Sequence, residues 1–338
     1  MSFIWNLVLV VPGVALIWLG STRLETASRR IAAYYGIPEA VKGAVITAVA
    51  SSFPELSSVV VATLIHGDFE LGMAVVVGSA IFNISVIPAL AVYFGGSLQA
   101  DRAVVYRDAL FYMVAVLGLL LTFSLAAIYF PVPGEPIRGS FTRGLALIPI
   151  ALYAVYLFIQ YQDTGDSQNV QRHSAKMSIG SEWTVLAGCM LFVALGVELL
   201  IRCALELGRL MGTPSFLWGL TIIAAATSLP DLFISIVAAR RERSVTSLSN
   251  VLGSNSFDLL VAVPAGVILG GATVINFSRA APMMGCLTLT TIALFVCMRR
   301  DMVLRKAEAG LMLGLYAAFL IWMGLESFGV LSALSIKA

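Results

Sequence analysis

Two carboxylates in this chain each follow a proline inside a strongly apolar stretch. Glu55 follows Pro54, and Asp231 follows Pro230. A proline inside a helix removes a backbone hydrogen bond and clashes with the preceding turn, at a cost of about 3 kcal/mol or more. We therefore expect each helix to kink or open here and to release backbone carbonyls. The carbonyl candidates are those of Ala48 and Ala224.

The side chains next to these carboxylates are also oxygen donors. They are the hydroxyls of Ser51, Ser52, Thr227 and Ser228. Hard cations such as Ca²⁺ take about six to eight oxygens, mostly from carboxylates and carbonyls, and two carboxylates would neutralise one Ca²⁺. The same oxygens can hold Na⁺, whereas the lack of Cys, His and Met at this level disfavours soft transition metals.

The helix that follows each passage adds a second polar set at i,i+4 spacing, on one helical face. The two pairs are Ser79 with Asn83 and Ser254 with Asp258. Gly78 and Gly253 precede these pairs, and we expect them to allow close helix approach. Three carboxylates, those of Glu55, Asp231 and Asp258, would repel one another unless cations or protons neutralise them. Glu55, Asp231 and Asp258 are therefore the candidate metal ligands.

The two passages are copies of one another. The first runs from Gly43 to Leu56 and reads GAVITAVASSFPEL, and the second runs from Gly219 to Leu232 and reads GLTIIAAATSLPDL, 176 residues later. At an offset of 175, GSNSFD at 253–258 repeats GSAIFN at 78–83. A paired proline and charge in lipid is costly, so function is the default hypothesis for a duplicated pair.

Composition places these passages in a membrane. Of 338 residues, 59% are hydrophobic and 12% charged, and the mean hydropathy is +0.94. Ten apolar segments are long enough to cross a bilayer, and they must be helices because an open sheet would leave backbone groups unpaired in lipid. They begin near residues 3, 43, 70, 104, 141, 183, 216, 245, 281 and 308. We expect an all-α polytopic membrane protein.

The repeat spans five segments, so the second copy must enter the membrane from the opposite side. Such inverted repeats commonly build a transport site near the midplane. We expect a first five-helix repeat at 1–162 with its motif at 43–90, a linker at 163–182, and a second repeat at 183–338 with its motif at 219–266.

Charge distribution predicts the orientation. Most of the 21 Lys and Arg residues fall in the connections after segments 1, 3, 5, 7 and 9, so that side and the linker should be cytoplasmic and both termini extracellular. The net charge of +2 is this topology signal and gives no reason to expect a nucleic-acid partner. We expect lipid and small inorganic cations as partners, a monomer in the plasma membrane, and no cleavable signal peptide. The four cysteines form no metal or disulfide pattern.

The motif residues resemble the cation/Ca²⁺ exchanger superfamily, whose repeats carry Ser/Thr-Ser-x-Pro-Glu/Asp and then Gly-Ser-x-x-Phe-Asn/Asp. The matches are SSFPE at 51–55 with GSAIFN, and TSLPD at 227–231 with GSNSFD. The resemblance covers most of the chain and is greatest to the K⁺-dependent Na⁺/Ca²⁺ exchangers. It implies an antiporter rather than an enzyme, with transported ions and no cofactor. K⁺-independent Na⁺/Ca²⁺ exchange and Ca²⁺/H⁺ exchange are the alternatives.

The same resemblance implies roles for particular residues. A Ca²⁺ site would be formed by Glu55 and Asp231 with Ser51 and Thr227. Na⁺ sites would draw also on Ser52, Ser79, Ser228 and Ser254. Asn83 and Asp258 would tune the centre, and Asp258 would be the K⁺-sensitive position. The chain departs from the family pattern at Ala50 and Ala226, where a glycine is usual, and at Ser256, where an aliphatic residue is usual.

Other classes make different demands on the same residues. An intramembrane aspartyl protease would need a GxGD passage, but Asp231 follows LP and Asp258 follows SF. A cation channel usually builds its carboxylate ring from oligomeric symmetry, whereas here the symmetry is internal. Glu55 and Asp231 could also be a purely structural buried pair.

Outside the motifs, Glu198 and Arg202 are spaced as a helix-surface ion pair, and His66 is expected to be a solvated loop residue.

Overall fold

The chain is mostly helical, as predicted. A computed structural model describes residues 3–35, 48–134, 137–163, 179–241 and 244–327, and 87% of the structure is helix. The helices are α1 Phe3–Tyr34, α2 Ala48–Ser51, α3 Phe53–Leu64, α4 Phe69–Gly95, α5 Ala109–Tyr129, α6 Arg143–Asp163, α7 Ile179–Met211, α8 Ser215–Trp218, α9 Ala224–Arg240, α10 Ser244–Phe257, α11 Val263–Gly270, α12 Phe277–Asp301 and α13 Lys306–Ser327. Three π-helical turns, at Val104–Asp108, Gly219–Ile223 and Asp258–Ala262, run directly into α5, α9 and α11.

Nine helical stretches within the described ranges are long and apolar enough to cross a membrane, and the all-α prediction is confirmed. The remaining predicted segment, from residue 43, corresponds to α2 and the shorter apolar helix α3. Its first part lies outside the described residues, as does most of the predicted linker at 163–182. The boundaries of the two repeats therefore stay predictions.

Helix burial separates a central layer from a lipid-facing one. In α4, 94% of the most apolar stretch is buried, and in the helical run 247–270 the value is 78%, against 22% in α6 and α13. A helix buried to this extent has protein neighbours on every side, so α4 and the run of α10 and α11 occupy the centre. Large apolar side chains are exposed on the peripheral helices, among them Val11, Leu121, Leu147, Leu191, Val296 and Ile321.

The inverted repeat is visible in four short strands. Strand β1 (Leu98–Gln99) pairs with β4 (Val303–Leu304), and β2 (Arg138–Phe141) pairs with β3 (Thr273–Asn276). Each ladder thus joins one strand from each half. The stretch from Val104 to Tyr129 separates β1 from β2 in the chain, and 26 helical residues span about 39 Å, so the ladders mark opposite faces, here called the β1–β4 face and the β2–β3 face.

The glycines before β1 and β3 repeat the same backbone conformation. Gly96 ends α4 with φ +95° and ψ −172°, and Gly271, 175 residues later, ends α11 with φ +94° and ψ −173°. A positive φ of this size is readily adopted only by glycine. The repeat seen in sequence is therefore also a repeat of backbone geometry at the ends of the two central helices.

Gly78 and Gly253 differ in surroundings, although they occupy the same repeat position. A Cβ added to Gly78 would lie 2.1 Å from the carbonyl oxygen of Leu220, within the π-helical turn of the other half. A Cβ added to Gly253 would meet only the hydroxyl of Tyr156, at 3.4 Å. The expectation of close helix approach is therefore correct for Gly78, where the neighbour is helix backbone. It is wrong for Gly253, where the neighbour is the far end of the Tyr156 side chain.

A cluster of polar side chains at the loop between α3 and α4 contains one contact that the sequence analysis did not predict. His66 is not a solvated residue: its Nε2 lies 2.8 Å from Oε2 of Glu198, and its side chain is only 17% exposed. The expected pair of Glu198 and Arg202 is present, with Nε of Arg202 at 2.5 Å from Oε1 of Glu198. The loop that joins α3 to α4 is therefore anchored to α7.

The glycine difference gives a stability prediction. Gly78→Ala forces the backbone of Leu220 to move, and overpacking of this kind costs about 1–3 kcal/mol. Gly253→Ala is the matched control at the equivalent repeat position and should unfold like the wild type. Unfolding of the two purified variants in mixed detergent micelles measures the difference, and equal stabilities would contradict the close contact at Gly78.

Candidate functional site

The first carboxylate passage is broken at Ser52. Helix α2 ends at Ser51, Ser52 has φ −87° and ψ 7°, and α3 begins at Phe53 with Pro54 in its first turn. A proline is tolerated in a first turn because its missing N–H has no helical partner there. Glu55 therefore lies in the first turn of a new helix, where the positive end of the helix dipole favours a carboxylate.

The second passage has a different local structure. Helix α9 runs from Ala224 to Arg240 without interruption at Pro230, and the expected opening at this proline is wrong. The distortion lies upstream, in the π-helical turn Gly219–Ile223. A π turn inserted into a helix is frequently found at functional sites. At the prolines themselves the two copies therefore differ, since the helix is interrupted before Pro54 and is continuous through Pro230.

The carbonyls of Ala48 and Ala224 accept hydrogen bonds within their own helices. Ala48 accepts from the backbone N of Ser52 at 2.9 Å and from the hydroxyl of Ser51 at 3.2 Å. Ala224 accepts from the hydroxyls of Thr227 and Ser228 at 3.1 and 2.9 Å. Hydroxyls often bond back to the preceding turn in this way. Rotation of each hydroxyl would free one acceptor position on each carbonyl oxygen, while the backbone hydrogen bond of the helix remains.

Two further carbonyls were missed at the sequence level. Pro54 and Pro230 have no N–H to offer the carbonyls four residues earlier, which are those of Ala50 and Ala226. The i−4 rule alone identifies them.

Ser79 is the point at which the two halves meet. Its hydroxyl donates to Oε1 of Glu55 at 3.0 Å and lies 2.8 Å from the hydroxyl of Ser228. The amide nitrogen of Asn83 lies 3.4 Å from the hydroxyl oxygen of Ser79. A second contact between the halves runs from the hydroxyl of Ser52 to the carbonyl oxygen of Ser254, at 3.4 Å. The structure thus brings both motif helices of each half to one centre.

Three predicted ligands direct their hydroxyls elsewhere. Ser51 and Thr227 donate to the carbonyls described above, and Ser254 donates to the carbonyl of Val251 at 3.1 Å. Their places in an ion shell stay predictions.

All three carboxylates are buried. The exposed fractions of Glu55, Asp231 and Asp258 are 1%, 7% and 1%. Within the described part of the chain none of them pairs with Lys, Arg or His. Charges placed in a low-dielectric interior without a partner are strongly unfavourable. These carboxylates therefore require protons or a bound cation.

Two buried oxygens at the centre have no hydrogen-bond partner among the described residues. They are Oδ1 of Asn83 and Oδ1 of Asp258. Buried polar atoms are nearly always hydrogen-bonded, so two unpaired oxygens at one centre call for an explanation. Both oxygens are available to bind a cation. No group of three or more His, Cys, Asp or Glu side chains within the described ranges could itself hold a metal. Glu55, Asp231 and Asp258 as joint ligands therefore stay a prediction, and a shell would need hydroxyl, amide and carbonyl oxygens.

Asn255 is a polar residue that the sequence reasoning passed over. It is fully buried, and its Oδ1 accepts from the amide nitrogen of Asn83 at 2.9 Å. The signal was present in the repeat, because Asn255 stands where the first copy has Ala80. A polar side chain found in only one copy of an apolar helix indicates a specific partner.

The sequence profile of the sodium/calcium exchanger protein family matches residues 5–162 and 181–325. The chain belongs to this family. It is therefore a transporter of cations in a membrane and not an enzyme, and the predicted resemblance is confirmed.

Several relatives resemble this exchanger over different lengths. Inner membrane protein YrbG of Escherichia coli is 24% identical over 94% of this chain and 95% of its own length. An uncharacterized membrane protein of Methanocaldococcus jannaschii is 27% identical over 75% of this chain and 78% of its own length. Sodium/potassium/calcium exchanger 2 of Gallus gallus is 32% identical over 40% of this chain, which spans only 22% of that relative.

Solved structures share the fold. The sodium-calcium exchanger NCX_Mj soaked with 10 mM Na⁺ and zero Ca²⁺ superposes with a TM-score of 0.64 at 21% identity, over 95% of this chain and 99% of that one. The same exchanger soaked with 2.5 mM Na⁺ and 0.1 mM Ca²⁺ gives 0.63 at 22% identity, with the same coverage. The ten-helix inverted architecture of the exchanger described here is consistent with this fold.

The role of Ser79 gives a second stability prediction. Ser79→Ala removes the hydroxyl that contacts both Glu55, in the same half, and Ser228, in the other half. A buried group that is left unsatisfied costs about 1–3 kcal/mol. Ser85→Ala is the matched control on the same helix, because its buried hydroxyl bonds only to the carbonyl of Ile81 one turn earlier. Unfolding of both variants in ion-free detergent should show a loss for Ser79→Ala alone. A larger loss for Ser85→Ala would contradict the bridging role.

Proposed function

We propose that this chain is a secondary active antiporter that exchanges Na⁺ for Ca²⁺ across the cell membrane. The observation that supports it best is the set of three buried carboxylates, Glu55, Asp231 and Asp258, which have no basic partner among the described residues. They come from both halves of an inverted repeat and are surrounded by hydroxyl and amide oxygens. Oxygens of this kind suit Ca²⁺ and Na⁺.

Glu55 and Asp231 are the proposed Ca²⁺ ligands, together with the hydroxyls of Ser51 and Thr227. Both hydroxyls lie one rotation away from the centre, since each now bonds to a carbonyl in its own helix. The same rotation would free one acceptor position on each of the carbonyl oxygens of Ala48 and Ala224, which keep their backbone hydrogen bonds. The proposed Na⁺ ligands add Ser52, Ser79, Ser228 and Ser254, and Asn83 and Asp258 complete the centre.

Electrostatics provides the coupling. An empty centre holds several negative charges away from water, and this state is too unfavourable to pass through the middle of the membrane. One Ca²⁺ or several Na⁺ would neutralise the same carboxylates. The two loads therefore compete for shared ligands, and either one permits the change of access from one face to the other.

The finer proposal is that K⁺ travels with Ca²⁺ and that Asp258 determines this dependence. The support is the likeness of the motif region to relatives named sodium/potassium/calcium exchangers. K⁺-independent exchange and Ca²⁺/H⁺ exchange are the other outcomes of the test below.

The proposed setting is a monomer in the plasma membrane with both termini outside the cell. Its support is the charge asymmetry of the connections and the name of the E. coli relative, which places that protein in the inner membrane. The proposed division into repeats at 1–162 and 183–338 follows from the 176-residue offset between the two motif copies. The charge asymmetry supports placing the linker at 163–182 on the cytoplasmic side.

The function is tested by ⁴⁵Ca²⁺ uptake into proteoliposomes. Vesicles loaded with Na⁺ and diluted into Na⁺-free buffer should accumulate Ca²⁺, and external K⁺ should increase the uptake. Asp258→Asn should remove the K⁺ response. Uptake driven by a pH gradient instead of Na⁺ would replace Na⁺ coupling with H⁺ coupling, and Na⁺-driven uptake without a K⁺ response would leave the K⁺-independent mechanism.

The carboxylate ligands are tested by near-isosteric amides. Glu55→Gln or Asp231→Asn should abolish uptake, because the centre then lacks a charge needed to bind Ca²⁺. Glu308→Gln is the control, since Glu308 lies in the first turn of α13, where its side chain accepts a hydrogen bond from the backbone N–H of Arg305 at 3.1 Å. Each variant must elute as a folded protein in detergent. Normal uptake by either site variant would remove that carboxylate from the site.

A further inference from the structure

The buried amide of Asn255 determines which end of the Asn83 side chain faces the centre. We propose that Asn255 is a positioning residue that turns the Asn83 amide so that its carbonyl oxygen, and not its NH₂ group, is offered to the transported cation. This inference rests on the proposed function, because it assigns a role within the same site.

The orientation is anchored by an atom that can only accept. The NH₂ group of Asn255 lies 3.2 Å from the backbone carbonyl oxygen of Ala80, and a backbone carbonyl has no hydrogen to donate. The NH₂ group also lies 3.4 Å from the hydroxyl of Tyr112. The nitrogen of Asn255 must therefore point toward Ala80, and its Oδ1 must point away.

The orientation is then passed to Asn83. Oδ1 of Asn255 accepts from the NH₂ group of Asn83 at 2.9 Å, and a second hydrogen of the same group is directed at Ser79, 3.4 Å away. Both hydrogens are thus engaged. The remaining atom, Oδ1 of Asn83, has no partner among the described residues and is buried.

A reversed amide would have the opposite effect on a cation. It would set two oxygens, those of Asn83 and Asn255, against each other and would turn two N–H donors toward the site. An amide nitrogen carries partial positive charge and repels a cation, whereas a carbonyl oxygen is a normal ligand for Ca²⁺. Asn255 therefore favours the single orientation that adds an oxygen ligand.

The differences between the two repeat copies support the same role. Asn83 corresponds to Asp258, and Asn255 corresponds to Ala80. A carboxylate accepts through both oxygens and needs no particular orientation, whereas an amide does. The copy that carries the amide ligand is held by an amide from the opposite half. In the other copy the position equivalent to Asn255 is Ala80, which offers no side-chain polar group.

The test is a double-mutant cycle in the Ca²⁺ uptake assay. Asn255→Leu removes the acceptor, so the Ca²⁺ concentration for half-maximal uptake should rise by about tenfold, the order expected when one ligand is lost. In an Asn83→Asp background the same substitution should change it by less than about twofold, because a carboxylate presents an oxygen in either orientation. Ser256→Ala is the control, since the adjacent buried hydroxyl bonds only within its helix, to Leu252 at 2.8 Å.

The outcomes separate failure of the positioning role from failure of the proposed function. An unchanged Ca²⁺ dependence of Asn255→Leu, or an equal loss in both backgrounds, would overturn the positioning role while leaving wild-type exchange intact. Absence of uptake by the wild type would instead overturn the proposed function. If Asn255→Leu does not purify as a folded protein, Asn255→Ala removes the same acceptor without added bulk. If Asn83→Asp does not transport, the cycle is read from the rise in unfolding temperature that Ca²⁺ causes in detergent.

Discussion

Uncompensated negative charge at the centre is the constraint on which the rest of this structure depends. Three carboxylates lie buried between helices, and no described basic side chain pairs with them. Leaving such charges unpaired is far more costly than any single packing defect. The centre is therefore stable only when protons or cations are bound, and the surrounding hydroxyls, amides and distorted helical turns supply the oxygens that a cation needs.

Duplication explains how such a centre is built, and the differences between the copies explain how it works. One copy opens its helix at Ser52, and the other widens a turn at Gly219–Ile223. One copy packs Gly78 against a backbone carbonyl, whereas the equivalent Gly253 has room. An exactly symmetric pair would place identical groups face to face. Ser79 donates its one hydrogen to Glu55, so it can only accept at its contact with Ser228, and Ser228 can donate to it only by leaving the carbonyl of Ala224.

Local sequence features predicted much of the fold and the composition of the centre. The apolar segments predicted an all-α protein, because an open sheet would leave backbone groups unpaired in lipid. The odd number of segments per repeat predicted that the second copy is inverted. The Pro-carboxylate passages and the i,i+4 pairs identified the buried polar residues. The unequal backbone at Pro54 and Pro230 could not be predicted from the same motif. Whether the helix is interrupted at the proline depends on how the neighbouring helices pack there, and the motif does not encode that packing. The partner of His66 could not be predicted either, because Glu198 is distant in sequence. Asn255 was visible in the sequence as a departure from Ala80, but its partner Asn83 was not, because it lies 172 residues away.

The contacts between the halves show where movement would have to occur. On the β2–β3 face, Asp68 accepts from the hydroxyl of Ser215 at 2.7 Å, and Glu70 pairs with Arg279 at 2.8 Å. On the opposite face, Asp108 accepts from the hydroxyl of Ser249 at 2.7 Å. Each of these hydrogen bonds joins a carboxylate of the first half to a residue of the second. The proposed exchange requires one face to open while the other stays closed, and any opening that separates the halves at a face would have to break the hydrogen bonds of that face. Hydrogen bonds to charged groups contribute about 1.5–3 kcal/mol each, so these contacts favour a state in which both faces are held closed.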